Sequence, residues 1–445
     1  MEATRTLEAQ LNDFSPAKRM QALEALTASG EPAGAPQEAV NLHCHTFFSF
    51  NAYGYSPTGL AWLARQCGFK ALGIVDFDVL DGVEEFLNAC ELLGVRGSAG
   101  METRVFIPEF SSREINSPGD PGVYYTMGIG YSSGRPPVTA APILADMRRR
   151  AEERNRTMLE RINAFLAPVT VNYDRDVLPL TPVGNATERH MLVAYMQAAA
   201  ACFPDPAPFW AEKLQLLPEQ VAAQIGDAVK FPNTLRARLM KRGGVGYAQP
   251  GADAFPSLDK VNRLILACGA LPCATWLDGA SAGEQAEEEL LGLLISKGAV
   301  ALNIIPDRNW NLTDPEKRRA MVQNLYDVVV LAGKLDLPLN IGTEMNAPGQ
   351  KLVDDFEAPE LAPVRQAFLD GADFIYGHTV LQRAASLGYQ SEWARAYLPS
   401  RRERNAFFTQ AGRRVAPGRA GMTRLKSLTS DLSPVEVMDK LAHPA

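Results

Sequence analysis

The feature that most constrains this chain is a rhythm. Short apolar runs alternate with helical patterns from about residue 39, break off near residue 140, and resume near residue 257. Apolar runs bounded by breakers read as buried strands, and apolar residues at helical spacing read as the helices that connect them. "AVNLHC", "KALGIVDF", "VRGSAGMETRVFI" and "GVYYTMGIGY" supply the first strands. "SPTGLAWLARQCG" predicts a helix capped by Ser56, with Pro57 in its first turn and Gly68 as its stop, and "DGVEEFLNACELLG" predicts another ending at Gly94. Beyond the break, "LPCATWL", "AVALNIIP", "LPLNIGTE" and "DFIYGH" read as strands, separated by helices such as "SAGEQAEEELLGLLISKG" and "DPEKRRAMVQNLYDVVVLAGKL". Seven or eight such units imply an α/β fold with a mostly parallel sheet, a βα barrel more than an open sheet.

Four regions follow from the same rhythm. Residues 1–38 form an N-terminal helical extension, and 39–139 with 257–385 form the barrel. Residues 140–256 form an inserted helical subdomain, read as a cap that shapes substrate access, and 386–445 form a C-terminal helical extension. The long charged pattern "ILADMRRRAEERNRTMLERINAFLA" reads as a solvated helix face. A net charge of −7 offers no broad attraction to nucleic acid or an anionic membrane, so neither is expected as a partner. The N-terminal stretch lacks the apolar core of a signal peptide, and no apolar run is long enough to span a bilayer. Six scattered cysteines without a CxxC pair fit reduced thiols, and the expected location is cytoplasmic. Oligomeric state is not readable.

Chemistry enters with "NLHCHTFFSFN". The chain has only five histidines, and two of them, His43 and His45, stand one residue apart on the first strand. Side chains alternate across a strand, so both point to one face and can reach the mouth of a barrel, with Cys44 turned away. Two imidazoles on one face are half of a site for zinc, manganese or iron. Carboxylates recur at other strand ends: Asp76 and Asp78 flank Phe77, Glu102 lies in "AGMETRV", and Glu344 in "NIGTEMN". Carboxylates gathered on one rim repel one another unless a cation neutralises them.

These stretches resemble the PHP (polymerase and histidinol phosphatase) family of metal-dependent phosphoesterases. "NLHCHTFFS" is similar to its opening HxH motif, "GIVDFDVLDGVEEF" to its second, "GMETRV" to its Gly-x-Glu strand, and "NIGTEMNAPG" occupies the place of its last. The resemblance covers roughly 40–130 and 258–350. It implies a distorted (βα)7-type barrel, here with a large helical insertion and extra helices at both termini. It also implies a first metal held by His43, His45, Glu102 and Glu344, the last standing where the family has Asp. Where the family has the three imidazoles of a further metal, this chain has Asn51, Phe77 and Asn346. The counterparts of the imidazoles of another metal fall near Tyr125 or Thr126 and near Thr275 or Trp276, so fewer than the family's three metals are expected.

His378, in "IYGHTV", either reaches the rim as a further ligand or is a helix or core residue, and both readings stay open. His190 reads as structural, and His443 lies near the chain end. Asp76 is the candidate general base or orienting group for a ligand. Arg104, two residues past Glu102 on the same face, is the first candidate for offsetting phosphate charge, with Arg189 and Arg308 after it. Three functions remain. The first is a hydrolase acting on a small phosphorylated molecule with one or two metals. The second is a barrel that has lost catalysis and binds a ligand or partner protein. The third is an amidohydrolase-type metal enzyme.

Overall fold

The computed structural model describes residues 2–442; His443 lies outside them. Seven strands form one sheet in chain order: β1 (Gln37–Cys44), β2 (Phe69–Phe77), β3 (Gly97–Phe106), β4 (Val123–Ile129), β5 (Leu271–Trp276), β6 (Ala301–Ile304) and β7 (Leu339–Ile341). The sheet comes round on itself just past β7, where Cys44 and Glu344 bridge in parallel. There Glu344 N–H donates to His43 O at 2.8 Å and His45 N–H donates to Glu344 O at 2.7 Å. Gly342 makes this closure possible, because a Cβ there would press on His43 Cβ and the Asn41 side chain.

The sheet is not wholly parallel. β4 runs antiparallel to both β3 and β5, while the other pairs are parallel. The reason lies in the β3–β4 link, which holds only the short turn Pro108–Phe110. A parallel return needs a crossover, usually a helix, and none is present there. The expected strand "DFIYGH" is also absent. It lies inside the helix Arg365–Ala385, whose residues from Phe368 to Leu381 are almost all buried. An apolar run of this kind fits a buried helix as well as a strand. Gly371 lets that helix approach the Leu339 backbone, and Gly377 lets it cross Phe408 of the helix Arg401–Arg414.

Local signals elsewhere acted as their chemistry predicts. The Ser56 side chain accepts from Gly59 N–H at the start of the helix Pro57–Cys67, and Gly68 ends it at φ 68°. Asp314 caps the helix Pro315–Lys334. The helices Glu2–Gln10 and Pro16–Ala28 precede the barrel, and four helices from Glu392 to Ala442 follow it. The barrel strands and their covering helices share one apolar core. Between β4 and β5 the chain forms the helices Ala141–Leu166, Glu188–Cys202, Ala207–Leu214, Pro218–Ala222 and Lys230–Leu239. Leu159, Ile162, Tyr195, Trp210, Phe231 and Leu235 give these helices an apolar core of their own. All six cysteines are unpaired. Among the described residues no helix is long and apolar enough to cross a membrane.

Candidate metal centre

The end of β1 sets His43 inside the sheet and His45 just beyond it, and β3 brings Glu102 against both. All three side chains are buried, and one ligating atom from each lies within 4.8 Å of the others. Glu102 Oε2 stands 3.3 Å from His45 Nε2 and 3.6 Å from His43 Nε2. None of these three atoms has a hydrogen-bond partner. Buried polar atoms are rarely left unpaired, each costing about 1–3 kcal/mol, so three orphans facing one point mark a place for a ligand. Two imidazoles and one carboxylate are a chemically suitable donor set for a divalent zinc, manganese or iron ion.

The ring of His45 is held from behind. Its Nδ1 lies 3.0 Å from Ser49 Oγ, and Ser49 Oγ donates to Asp76 Oδ1 at 2.6 Å. Asp76 also accepts from Thr46 N–H at 2.8 Å and Thr46 Oγ1 at 2.7 Å. With its own proton committed to Asp76, Ser49 accepts from Nδ1–H, which leaves the Nε2 lone pair of His45 directed at Glu102. Asp76 is therefore a positioning residue. It is expected as a candidate base, but both its oxygens already accept from Thr46 and Ser49 in the loop after β1. Burial pushes its carboxyl pKa up, against the pull of His45, Ser49 and Thr46.

Electrostatics around the cluster agree with this geometry. Burial alone would raise Glu102, but His43 and His45 beside it bring its pKa down to about 2. Burial would lower His43, yet Glu102, Glu344 and the Asn303 amide leave it raised. Asn303, on β6, went unnoticed in the sequence because nothing in a short apolar strand distinguishes an inward amide.

Glu344 departs from expectation. Its backbone closes the barrel beside both histidines, but its carboxylate accepts from Gln350 at 2.9 Å and pairs with Arg308 at 3.4 Å. The backbone there is left-handed, with φ 67° at Glu344 and 56° at Met345, and the carboxylate is not among the ligand atoms gathered within 4.8 Å of one another.

His378 is not part of the site. Its Nδ1 accepts from Tyr389 N–H at 3.0 Å and its Nε2 faces Gly130 O at 3.1 Å, so both ring nitrogens are taken. Burial lowers its pKa to about 4. His190 receives the Thr187 N–H at 3.0 Å as part of a helix cap.

The residues standing where the resemblance places imidazoles have other tasks. The Asn51 amide donates to His45 O at 2.8 Å and accepts from Tyr53 and Tyr55 N–H. Phe77 stacks on the His45 ring at 4.7 Å between centroids. Asn346 lines the adjoining cavity.

That cavity, about 1170 Å³, opens from Glu102 and is walled by the barrel on one side and the helical segment between β4 and β5 on the other. Arg104, Arg189 and Arg308 all face it, as does Arg154 from the helix Ala141–Leu166. The helix is thus not purely a solvated face: Arg149 and Arg156 make surface ion pairs, while Arg154 turns inward. Asn185 ties this roof to the barrel by donating to Phe48 O at 3.1 Å and Phe77 O at 2.9 Å.

No family model matches the chain. A stretch of 78 residues, 18% of the chain, is 32% identical to an error-prone DNA polymerase of Cutibacterium acnes, of whose length the match spans 7%. An amidohydrolase from Chromobacterium violaceum, solved with sulfate and without metal, superposes with a TM-score of 0.50 at 17% identity, over 74% of this chain and 96% of its own. A protein described as a metal-dependent phosphoesterase from Bifidobacterium adolescentis gives 0.44 at 19% identity, over 74% of this chain and 98% of its own. At these identities the structural likeness bears on the fold. In the order of its motifs and in the barrel that carries them, this chain resembles the PHP family.

Proposed function

We propose that the protein is a metal-dependent hydrolase of PHP type that cleaves a phosphate ester of a small molecule, using one divalent ion held by His43, His45 and Glu102. The observation that carries this reading is the trio of buried, unpartnered ligand atoms at the inner end of a large cavity. A divalent ion there would supply Lewis acidity toward a phosphoryl oxygen and acidify a water. The chain's own residues supply the rest. Ser49 and Asp76 fix the His45 ring, and Phe77 covers its face against solvent. Arg308 stands beside Glu344, and Arg189 reaches down from the roof with Asn233 Oδ1 as its hydrogen-bond partner at 3.0 Å. Both guanidiniums can pair with phosphate oxygens through two parallel donors. The cavity is of a size that encloses a small molecule.

The test is phosphate release from a panel of mono- and diesters by the full chain supplied with Zn, Mn or Fe, with His43→Ala as control. Metal-dependent release that is lost in the variant supports the reading. Absence of release with every metal leaves a barrel that only binds ligands. Amide or lactone hydrolysis without phosphate release would assign the site to amidohydrolase-type chemistry.

A further inference from the structure

The cavity has a second charged pole that the metal trio does not use. Arg104 lies two residues beyond Glu102 on the same face of β3, which places its backbone about 7 Å further along the strand. Its guanidinium sits over the Phe255 ring at 4.7 Å and near the Tyr125 ring at 5.8 Å. Arg154 lies over the same Phe255 at 4.5 Å. Among the described residues Arg104 has no hydrogen-bond or ion-pair partner, and Arg154 has only the Ala254 carbonyl, at 2.7 Å. Two guanidiniums thus share one ring with no carboxylate hydrogen-bonded or ion-paired to either, although the buried Asp78 acts on both through space.

The acids nearby are already engaged. Asp78 accepts from Thr103 Oγ1 at 2.6 Å. Glu188 pairs with Arg236 and Lys241, both at 2.9 Å. Asp120 accepts from Tyr247. Burial and the like charge of Arg104 lower the Arg154 pKa to about 10. Like charges brought together inside a protein are costly unless an anion joins them. Between the poles runs a chain of aromatic contacts: His45 stacked on Phe77, Phe77 edge-on to Tyr125 at 6.1 Å, then Arg104 and Phe255.

We infer that Arg104 and Arg154 form a second anion site, so that the substrate carries two separated anionic groups, the reacting one at His43, His45 and Glu102 and a non-reacting one between these two arginines. This rests on the hydrolase reading for the first pole only. Arg104 and Arg154 then determine specificity and take no part in the bond cleavage. An apolar middle part of the substrate lies along Phe77 and Tyr125.

Calorimetric titration of the full chain with benzene-1,4-bisphosphonate and with phenylphosphonate tests this without needing turnover. The expected result is at least about tenfold tighter binding of the bisphosphonate, a preference that falls toward one in Arg154→Gln and in Arg104→Gln. Arg154→Lys, which keeps the charge without the paired donors, should retain part of it, and unchanged thermal unfolding would show that the variants fold. Equal affinity for the two ligands in the unmodified chain overturns the inference, as does a preference that survives in both Gln variants. A bisphosphonate preference in a chain that hydrolyses no ester would uphold the second anion site while removing the phosphoesterase reading.

Discussion

His45 and His378 are equally buried and differ in what their nitrogens face. His378 gives both ring nitrogens to the backbone, one to Tyr389 N–H and one to Gly130 O, and helps hold the helix Arg365–Ala385 to its neighbours. His45 gives only Nδ1, to Ser49, and keeps Nε2 unpartnered beside Glu102 and His43. Burial therefore does not separate a ligand from a core histidine. Valence does: a side chain with an unspent lone pair inside a protein awaits something that is not protein.

Removing a member of the unspent set should have the largest effect. Glu102→Gln or His45→Ala is expected to weaken metal binding by more than about 100-fold, beyond what loss of an outer partner costs, as read by competition with a chromogenic chelator. His378 should behave in the opposite way, leaving metal affinity intact and showing itself in stability. Its folded pKa, about 4, lies below its ordinary 6.5, so the unfolded chain binds the extra proton first. Stability from this group is whole above pH 6.5 and falls by roughly 3 kcal/mol as the pH drops toward 4. Urea unfolding at pH 7 and pH 4.5 should show that loss, and His378→Gln should show less of it.

A smaller effect tests the support behind His45. Ser49→Ala removes the acceptor for Nδ1–H and should weaken metal binding by about 10- to 100-fold, with folding preserved. Smallest of all, Arg308→Gln frees the Glu344 carboxylate from its ion pair and removes a nearby positive charge. Metal affinity should rise by a factor of about two to five. A fall would mean that Arg308 helps to build the site.

The legible part of this molecule was what depends on near neighbours in sequence. The HxH spacing put two imidazoles on one side of β1, and Ser56 and Gly68 marked helix ends through local hydrogen bonds. Glu102 was recognisable because it sits mid-strand among apolar residues. What stayed hidden depends on the third dimension. The left-handed turn at Glu344 and Met345, which aims the carboxylate at Arg308, leaves no mark in side-chain type. The reversal of β4 goes with a link that forms no crossover helix, and a strand pattern carries no direction. "DFIYGH" is apolar enough for either strand or buried helix, and packing by Gly371 and Gly377 decided it. Arg154 could not be told from its exposed neighbours on one charged helix, because only the roof's placement over the barrel turns it inward.

The central claim is that the open valences of His43, His45 and Glu102 define a single metal site. Bound metal per chain, measured by mass spectrometry on the full chain and on Glu102→Gln after equilibration with Zn, Mn or Fe and removal of excess, tests it most directly. The account predicts about one equivalent in the unmodified chain and essentially none in the variant. No metal in the unmodified chain, two or more equivalents, or retention in Glu102→Gln would contradict it.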